Sequence, residues 1–258
     1  MRVIDLVIKL IEIPSVTDSE KESNPLGLIK NFLEKEGSSV KTRILGRKNK
    51  KILLASFGRG SPKILLNSHF DVVPAPPIAF RTKLDKGRIY GRGAVDAKGP
   101  LVCLVKSFCD LSHLKLLGQV ILTCVPDEEN AGEFGSQILA TKGIIGDYNI
   151  IAEPTNLIPV IAEKGFLRLK ITAYGKSAHA AFPEKGVNAI DKLYWAVEEI
   201  RKIIDAPINP LLGKPTLNFS CVQGGNKINV VPDLAEGFID VRYLPSQKPI
   251  DLIRSLES

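Results

Sequence analysis

The chain has 258 residues, 44% of them hydrophobic and 24% charged, a composition that excludes an intrinsically disordered chain and leaves room for two domains. Its 35 basic and 28 acidic residues leave a net charge of +7. The basic residues are nevertheless spread along the chain and aromatics make up only 6%, so the charge reads as a solvated surface and not as a nucleic-acid interface.

The N-terminus, Met1-Arg-Val-Ile-Asp-Leu-Val-Ile-Lys9, puts Asp5 and Lys9 inside its apolar stretch. That excludes a secretory h-region or a membrane span and predicts an amphipathic helix ending before Pro14. A second helix over residues 25–35 sets Leu28 with Phe32 and Ile29 with Leu33 on one side. The densest basic run, Arg47-Lys-Asn-Lys-Lys51, reads as a turn between strands. Three short apolar runs follow, at residues 63–67, 119–125 and 149–152. A helix over residues 98–111 lies between the first two and carries Leu101, Val105, Phe108 and Leu111. Continuous apolar runs alternating with helices predict strands of a mostly parallel sheet covered on both faces. The first half, residues 1–163, is therefore expected to be an α/β domain.

After Glu163 the pattern changes. Leu167, Leu169, Ile171 and Ala173 alternate with Arg168, Lys170, Thr172 and Tyr174, the period of a strand with one wet face. An amphipathic helix with Ile190, Leu193, Val197, Ile200 and Ile204 on one face comes next, then strands near residues 217–222 and 236–243, then the start of a helix at Pro249. This β-α-β-β-α order over residues 164–258 predicts a smaller α+β, ferredoxin-like domain that lacks its closing strand. Cys103, Cys109, Cys124 and Cys221 show no CxxC pairing and lie in or beside apolar runs, so they are expected to be buried free thiols in a reducing cytoplasm. His113 is expected on the surface at a helix end.

The three apolar runs stop on His69 and Asp71, on Glu128 and Glu129, and on Glu153, and Asp96 precedes the central helix. Ligands of such sheets bind outside the carboxyl ends of the strands, so these residues are expected to share one pocket. Two unit charges about 4 Å apart repel by about 4 kcal/mol at an effective dielectric near 20, and five carboxylates together demand counter-charge. Lys98 is the one basic residue near these strand ends. Two divalent ions supply the charge, and a mixed carboxylate and imidazole set suits zinc or a similar transition metal. Such a pair of ions hydrolyses amides, with one of two adjacent acids holding metal and the other moving protons. Taken singly, His69 also fits a satisfied turn, Glu128 with Glu129 the acidic first turn of a helix, and Asp96 a helix cap. Neither GxGxxG nor GxxxxGK[ST] follows any predicted strand, which argues against a nucleotide site.

The stretches Ser68-His-Phe-Asp-Val-Val-Pro74, Tyr90-Gly-Arg-Gly-Ala-Val-Asp-Ala-Lys-Gly99, Pro126-Asp-Glu-Glu129 and Ala152-Glu-Pro-Thr155 resemble the M20 metallopeptidase and deacylase family. So do Gly175-Lys-Ser-Ala-His-Ala-Ala-Phe-Pro-Glu-Lys-Gly-Val-Asn-Ala-Ile190, Gly224-Gly-Asn-Lys-Ile-Asn-Val-Val-Pro-Asp233 and Asp240-Val-Arg-Tyr-Leu-Pro245. The resemblance implies that His69 and Glu153 bind one zinc, Glu129 the other, and Asp96 bridges both, with cobalt able to substitute. Asp71 would orient the His69 imidazole, and Glu128 would act as general base, passing a proton from the attacking water to the leaving amine. His179 would reach across a dimer interface to the oxyanion, while Asn229 and Arg242 would contact the substrate and its carboxylate. The expected activity is removal of an N-acyl group from an amino acid of the arginine or lysine biosynthetic routes, by a cytoplasmic homodimer assembled through the lid. An exopeptidase and a non-catalytic dimerising remnant are the alternatives.

The resemblance has two departures. Members of the family return to the catalytic domain after the lid and supply a further histidine to the second metal, whereas this chain reaches Ser258 with His69, His113 and His179 alone. The expectation is a fragment, a truncated frame or a chain completed by another, with apolar surface left uncovered. The segment Pro74-Ala-Pro-Pro-Ile-Ala-Phe80 also lacks a tryptophan that many relatives carry.

Overall fold

A computed structural model describes residues 1–257 of the chain. Two compact units compose it, Met1–Leu157 and Ile158–Ser258. The first contains α1 (Val3–Ile11), α2 (Pro25–Glu36), β1 (Lys41–Arg47), β2 (Lys50–Arg59), β3 (Lys63–His69), a small ribbon of β4 (Lys83–Asp85) and β5 (Arg88–Tyr90), α3 (Lys98–Ser112), β6 (Gly118–Val125), α4 (Ser136–Thr141) and β7 (Tyr148–Ile151). The main sheet has the order β1-β2-β6-β3-β7. β3 runs parallel to both β6 and β7, and β2 runs antiparallel to β1 and β6, so β2 alone opposes the common direction.

Period-two burial splits the sheet residues between two cores. Leu53, Ala55, Leu66 and Leu122 face α1, α2 and α3, packing on Leu10, Leu33, Leu101 and Phe108. Ile52, Leu54 and Val125 face the other way and pack on Leu139 of α4. Both faces are thus covered, as strands without polar alternation require. β7 is an edge strand, and its Tyr148, Ile150 and Ile151 are exposed. The register sets the strand ends level: His69 lies opposite Val125, and Asn67 opposite Ile151. Whatever follows these residues emerges at one edge.

The second unit contains β8 (Gly165–Tyr174), β9 (Ala178–His179), α5 (Ala189–Ile204), β10 (Thr216–Gly224), β11 (Val230–Val231), β12 (Leu234–Tyr243) and α6 (Pro249–Glu257). Its sheet, β10-β12-β8, is antiparallel throughout, and β9 pairs with β11 in a separate short ribbon. Val197, Ile200 and Ile204 of α5 and Leu252 of α6 pack against Ile239 and Val241 of the sheet. The apolar face of α5 carries Leu193, Val197, Ile200 and Ile204 as its spacing suggests, but at its first turn Ala189 is fully buried while Ile190, beside the Asn188 cap, is 38% exposed.

Only two of the four thiols are buried. Cys109 and Cys124 lie in the core, whereas Cys103 and Cys221 are exposed. Cys103 sits on α3 opposite the buried row of Leu101, Val105 and Phe108, and Cys221 follows a register shift in β10. Burial pushes the Cys124 thiol up to about 12, which leaves it unreactive at neutral pH. His113 caps the C-terminal end of α3 on the surface, and its Nε2 donates to the Glu36 carbonyl at 2.8 Å. Among the described residues no helix is long and apolar enough to cross a membrane.

Candidate metal centre

His69 closes β3 and is buried at the edge where the strand ends meet. Its Nδ1 donates to the Asp71 carbonyl at 3.0 Å and lies 3.3 Å from Asp71 Oδ1. Both neighbours of Nδ1 are acceptors, so that nitrogen carries the hydrogen and Nε2 is left facing the cluster. Nε2 stands 3.0 Å from Asp96 Oδ1 and 3.8 Å from both Glu128 Oε2 and Glu153 Oε1. One donor atom each from His69, Asp96 and Glu153 lie within 4.8 Å of one another. A buried imidazole with its far nitrogen anchored, facing two carboxylates, is a donor set that fits a divalent cation.

Without a cation, the carboxylates compete for protons. Burial is the largest influence on His69 and lowers its affinity for a proton, but the hydrogen bond and charge of Asp71 and the charges of Glu153 and Glu128 outweigh it and carry the imidazole up to about 9. Burial also raises Glu153, to about 7, with Glu128, Asp96 and Glu129 adding to the effect against the opposing charge of His69. Glu128 and Glu129 are raised as well, by burial first and by their acidic neighbours. His69 and the three glutamates thus hold protons more tightly than free side chains do, and a cation would displace them.

Asp71 does more than the sequence suggests. It is fully buried, its Oδ1 accepts from the Glu128 amide at 3.2 Å, and its Oδ2 accepts from the Glu129 amide at 3.1 Å. One carboxylate therefore ties the imidazole to the turn that bears both acids. That turn is a single 3-10 turn, Glu128–Asn130, flanked by Asp127 and Ala131 in left-handed conformations at φ 67° and 70°. It is not the first turn of an α-helix. The Glu129 carboxylate is directed to the Val73 amide, 3.3 Å away, and does not belong to the group of three. Asp96 makes no cap for α3, whose N-cap is Ala97 without a side-chain bond.

Lys98 does not neutralise the acids as its position in the sequence suggests. Its Nζ is buried and donates to the carbonyls of Leu10, at 2.9 Å, and Ile13, at 2.7 Å. Burial lowers it to about 7 against the weaker pull of Asp71. An ammonium that does meet buried carboxylates is that of Lys50, which the sequence places in a surface turn. Its Nζ lies 2.8 Å from Asp18, 2.9 Å from Glu22 and 2.6 Å from Asp127.

In the second unit, His179 sits on β9 opposite Val230, with its Nδ1 accepting from the Ala181 amide at 3.1 Å. The Ala180 amide donates to the Asn229 carbonyl at 2.9 Å, so His179 and Asn229 are neighbours on one ribbon. Arg242 is elsewhere. It lies near the far end of β12, paired with Asp240 at 2.6 Å and stacked 5.5 Å from the Phe166 ring centre. Eight residues separate it from Leu234 at the near end, roughly 26 Å at the rise of a strand.

Residues 161–258 match the family model described as a peptidase dimerisation domain. Over 268 aligned residues the chain is 30% identical to an acetylornithine deacetylase of Proteus mirabilis, covering 96% of this chain and 69% of that protein. Its fold is similar to that of an M20 family metallo-carboxypeptidase from Sulfolobus solfataricus, with a TM-score of 0.75 at 21% identity over 100% of this chain and 74% of that one. An aminopeptidase from Bacillus cereus matches with a TM-score of 0.74 at 19% identity, covering 99% of this chain and 70% of the other. Sequence similarity across both units and a donor set at the expected strand ends agree: the chain belongs to the M20 family of metallopeptidases and deacylases, metal-dependent enzymes acting on amide bonds.

Proposed function

We propose that the chain is a zinc-dependent deacylase that removes an N-acyl group from an amino acid, of the acetylornithine deacetylase or succinyl-diaminopimelate desuccinylase type. The observation that carries this reading is the convergence of Asp96, Glu128 and Glu153 on the Nε2 of His69, with the sequence similarity to a deacetylase pointing to the substrate class. His69, Asp96 and Glu153 would hold one zinc, and Asp96 with Glu129 would supply two ligands to a second. When bound, such an ion polarises the scissile carbonyl and lowers the pKa of water.

The remaining chemistry belongs to the side chains. Glu128, raised in pKa and next to the donor set, takes the proton of the attacking water and delivers it to the leaving amine. Asp71 fixes the His69 tautomer and the orientation of the imidazole. His179 is assigned to the oxyanion and Asn229, its neighbour on the ribbon, to the substrate, while Arg242, at the far end of β12, is assigned to the carboxylate of a substrate held in the other copy's site, where a guanidinium suits a planar anion. Residues 1–163 form the catalytic domain and 164–258 the lid through which two copies dimerise. The cytoplasm is the proposed compartment, given four free cysteines and no disulfide among the described residues.

The test is an assay of N-acetylornithine and N-succinyl-diaminopimelate beside simple dipeptides, on protein loaded with zinc or cobalt. Hydrolysis of the acylated amino acids is expected. Turnover of dipeptides alone would reassign the chain as an exopeptidase, and fewer than one bound cation per chain with no hydrolysis would make it an inactive dimerising remnant.

A further inference from the structure

We propose that Lys50 is a positioning residue for the proton-transferring turn: its ammonium clamps Asp127 to Glu22 and thereby holds Glu128 and Glu129 at the strand edge. This deepens the reading of Glu128 as the base and rests on it. Lys50 opens β2, and its side chain crosses to the loop after β6, where it is 12% exposed. Two of its three carboxylate partners, Glu22 and Asp127, are buried, while Asp18 is exposed.

Each partner is tied to backbone. Glu22 Oε1 accepts from the Asp127 amide at 2.9 Å and its Oε2 from the Asp18 amide at 2.7 Å. Asp127 Oδ2 accepts from the Phe134 amide at 3.0 Å, and its carbonyl from Gly132 at 2.6 Å. Asn130 Nδ2 donates to Asp18 Oδ2 at 2.9 Å. The loop from 127 to 134 is therefore a hydrogen-bonded ring about one buried carboxylate. Immediately after Asp127 come the two amides that Asp71 receives.

Removing the ammonium leaves Glu22 and Asp127 as neighbouring buried acids with no cation between them. Such acids repel each other, which loosens the bond of Asp127 to Glu22 and frees the left-handed residues at 127 and 131 that set the direction of the turn. The clamp acts on Glu128 and Glu129 through the main chain and touches neither their carboxylates nor the donor set.

The experiment is amide hydrogen exchange on the metal-free full chain, which requires no assumption about the reaction. In the unaltered protein the amides of Asp127 and Phe134 should be protected although they lie in a loop; free exchange there overturns the proposal without any variant. In Lys50→Met, exchange across 127–134 should accelerate at least tenfold while β10 and β12 stay unchanged, and Lys50→Arg should restore much of the protection. An unchanged loop, or acceleration spread evenly over all of Met1–Leu157, overturns it. If Lys50→Met does not fold, Lys50→Gln, which keeps a donor without the charge, is read by the same criteria. On an active preparation kcat should fall at least tenfold in Lys50→Met with KM little changed, and an unchanged kcat overturns the positioning role. Should no amide be hydrolysed by any preparation, the deacylase reading fails, and exchange in the loop still decides whether the clamp exists.

Discussion

Asp71 has no spare oxygen. Its carboxylate receives the Glu128 and Glu129 amides and lies against the His69 imidazole, so replacing one oxygen by an NH2 group sets a donor against a donor. Asp71→Asn should weaken divalent-cation binding by about 10- to 100-fold, read by cobalt titration of the purified chain; unchanged affinity would refute the coupling. Glu128 tests a separate step. Glu128→Gln keeps the shape and removes the proposed base, so kcat should fall by roughly 10²- to 10⁴-fold while cation binding, proposed to rest on His69, Asp96 and Glu153, should persist. Full activity in that variant assigns the proton transfer elsewhere. The place of His69, Glu128, Glu129 and Glu153 at one sheet edge was legible because each follows an apolar run, whereas Asp96 was placed there by the motif before the central helix. The partners of Lys50 were not, because its bond to Asp127 spans 77 residues and that of Asp127 to Glu22 spans 105, and no local pattern signals a pairing at such range.

At the level of elements, alternation and periodicity predict the helices and strands because burial follows their geometry, and the limits of that reasoning show on α5. The spacing places Ile190 in the apolar row, yet it lies 38% exposed at the capped end, where Asn188 Oδ1 accepts from the amides of Ile190 and Asp191 at 2.9 and 3.4 Å. A cap is a matter of backbone hydrogen bonds, which a count of apolar residues does not see. Three substitutions separate the two readings. Leu193→Ala, at a fully packed position, should cost about 2–5 kcal/mol. Asn188→Ala should cost about 1 kcal/mol, and Ile190→Ser should change stability by well under 1 kcal/mol, as surface substitutions do. Because Trp195, the one tryptophan of the chain, is 64% exposed in the fold, circular dichroism in denaturant is the readout. A loss at Ile190 as large as that at Leu193 would return Ile190 to the packed row read from spacing alone. The acidic turn shows the same limit, since two adjacent glutamates resemble a helix start and only the left-handed Asp127 and Ala131 that bracket them make it a single turn.

For the whole molecule, the cluster makes stability depend on pH in a direction opposite to that of ordinary acid-sensitive proteins. Glu128, Glu129 and Glu153 all titrate above the usual 4.5 when folded, Glu153 at about 7, and His69 moves from 6.5 to about 9. In each case the folded chain binds a proton more tightly than the unfolded one. Stability therefore falls as pH rises wherever these groups lose that proton. The contribution of Glu153 is complete below about pH 4.5 and is lost through about pH 7, those of Glu128 and Glu129 are lost as pH rises above the same 4.5, and that of His69 is complete below about pH 6.5 and is lost through about pH 9. The chelator-treated chain should melt at progressively lower temperature from pH 5 to pH 7, below the range in which Lys98, lowered to about 7, adds a slope of the opposite sign. A divalent cation reverses the trend, because it takes the place of those protons and binds the folded site better as they leave. The rise in melting temperature on adding zinc or cobalt should thus be larger at pH 8 than at pH 5.5, and Glu153→Gln should diminish it at both. A metal-free chain that grows more stable across this range, or a cation effect independent of pH, would show that the four groups do not share one site.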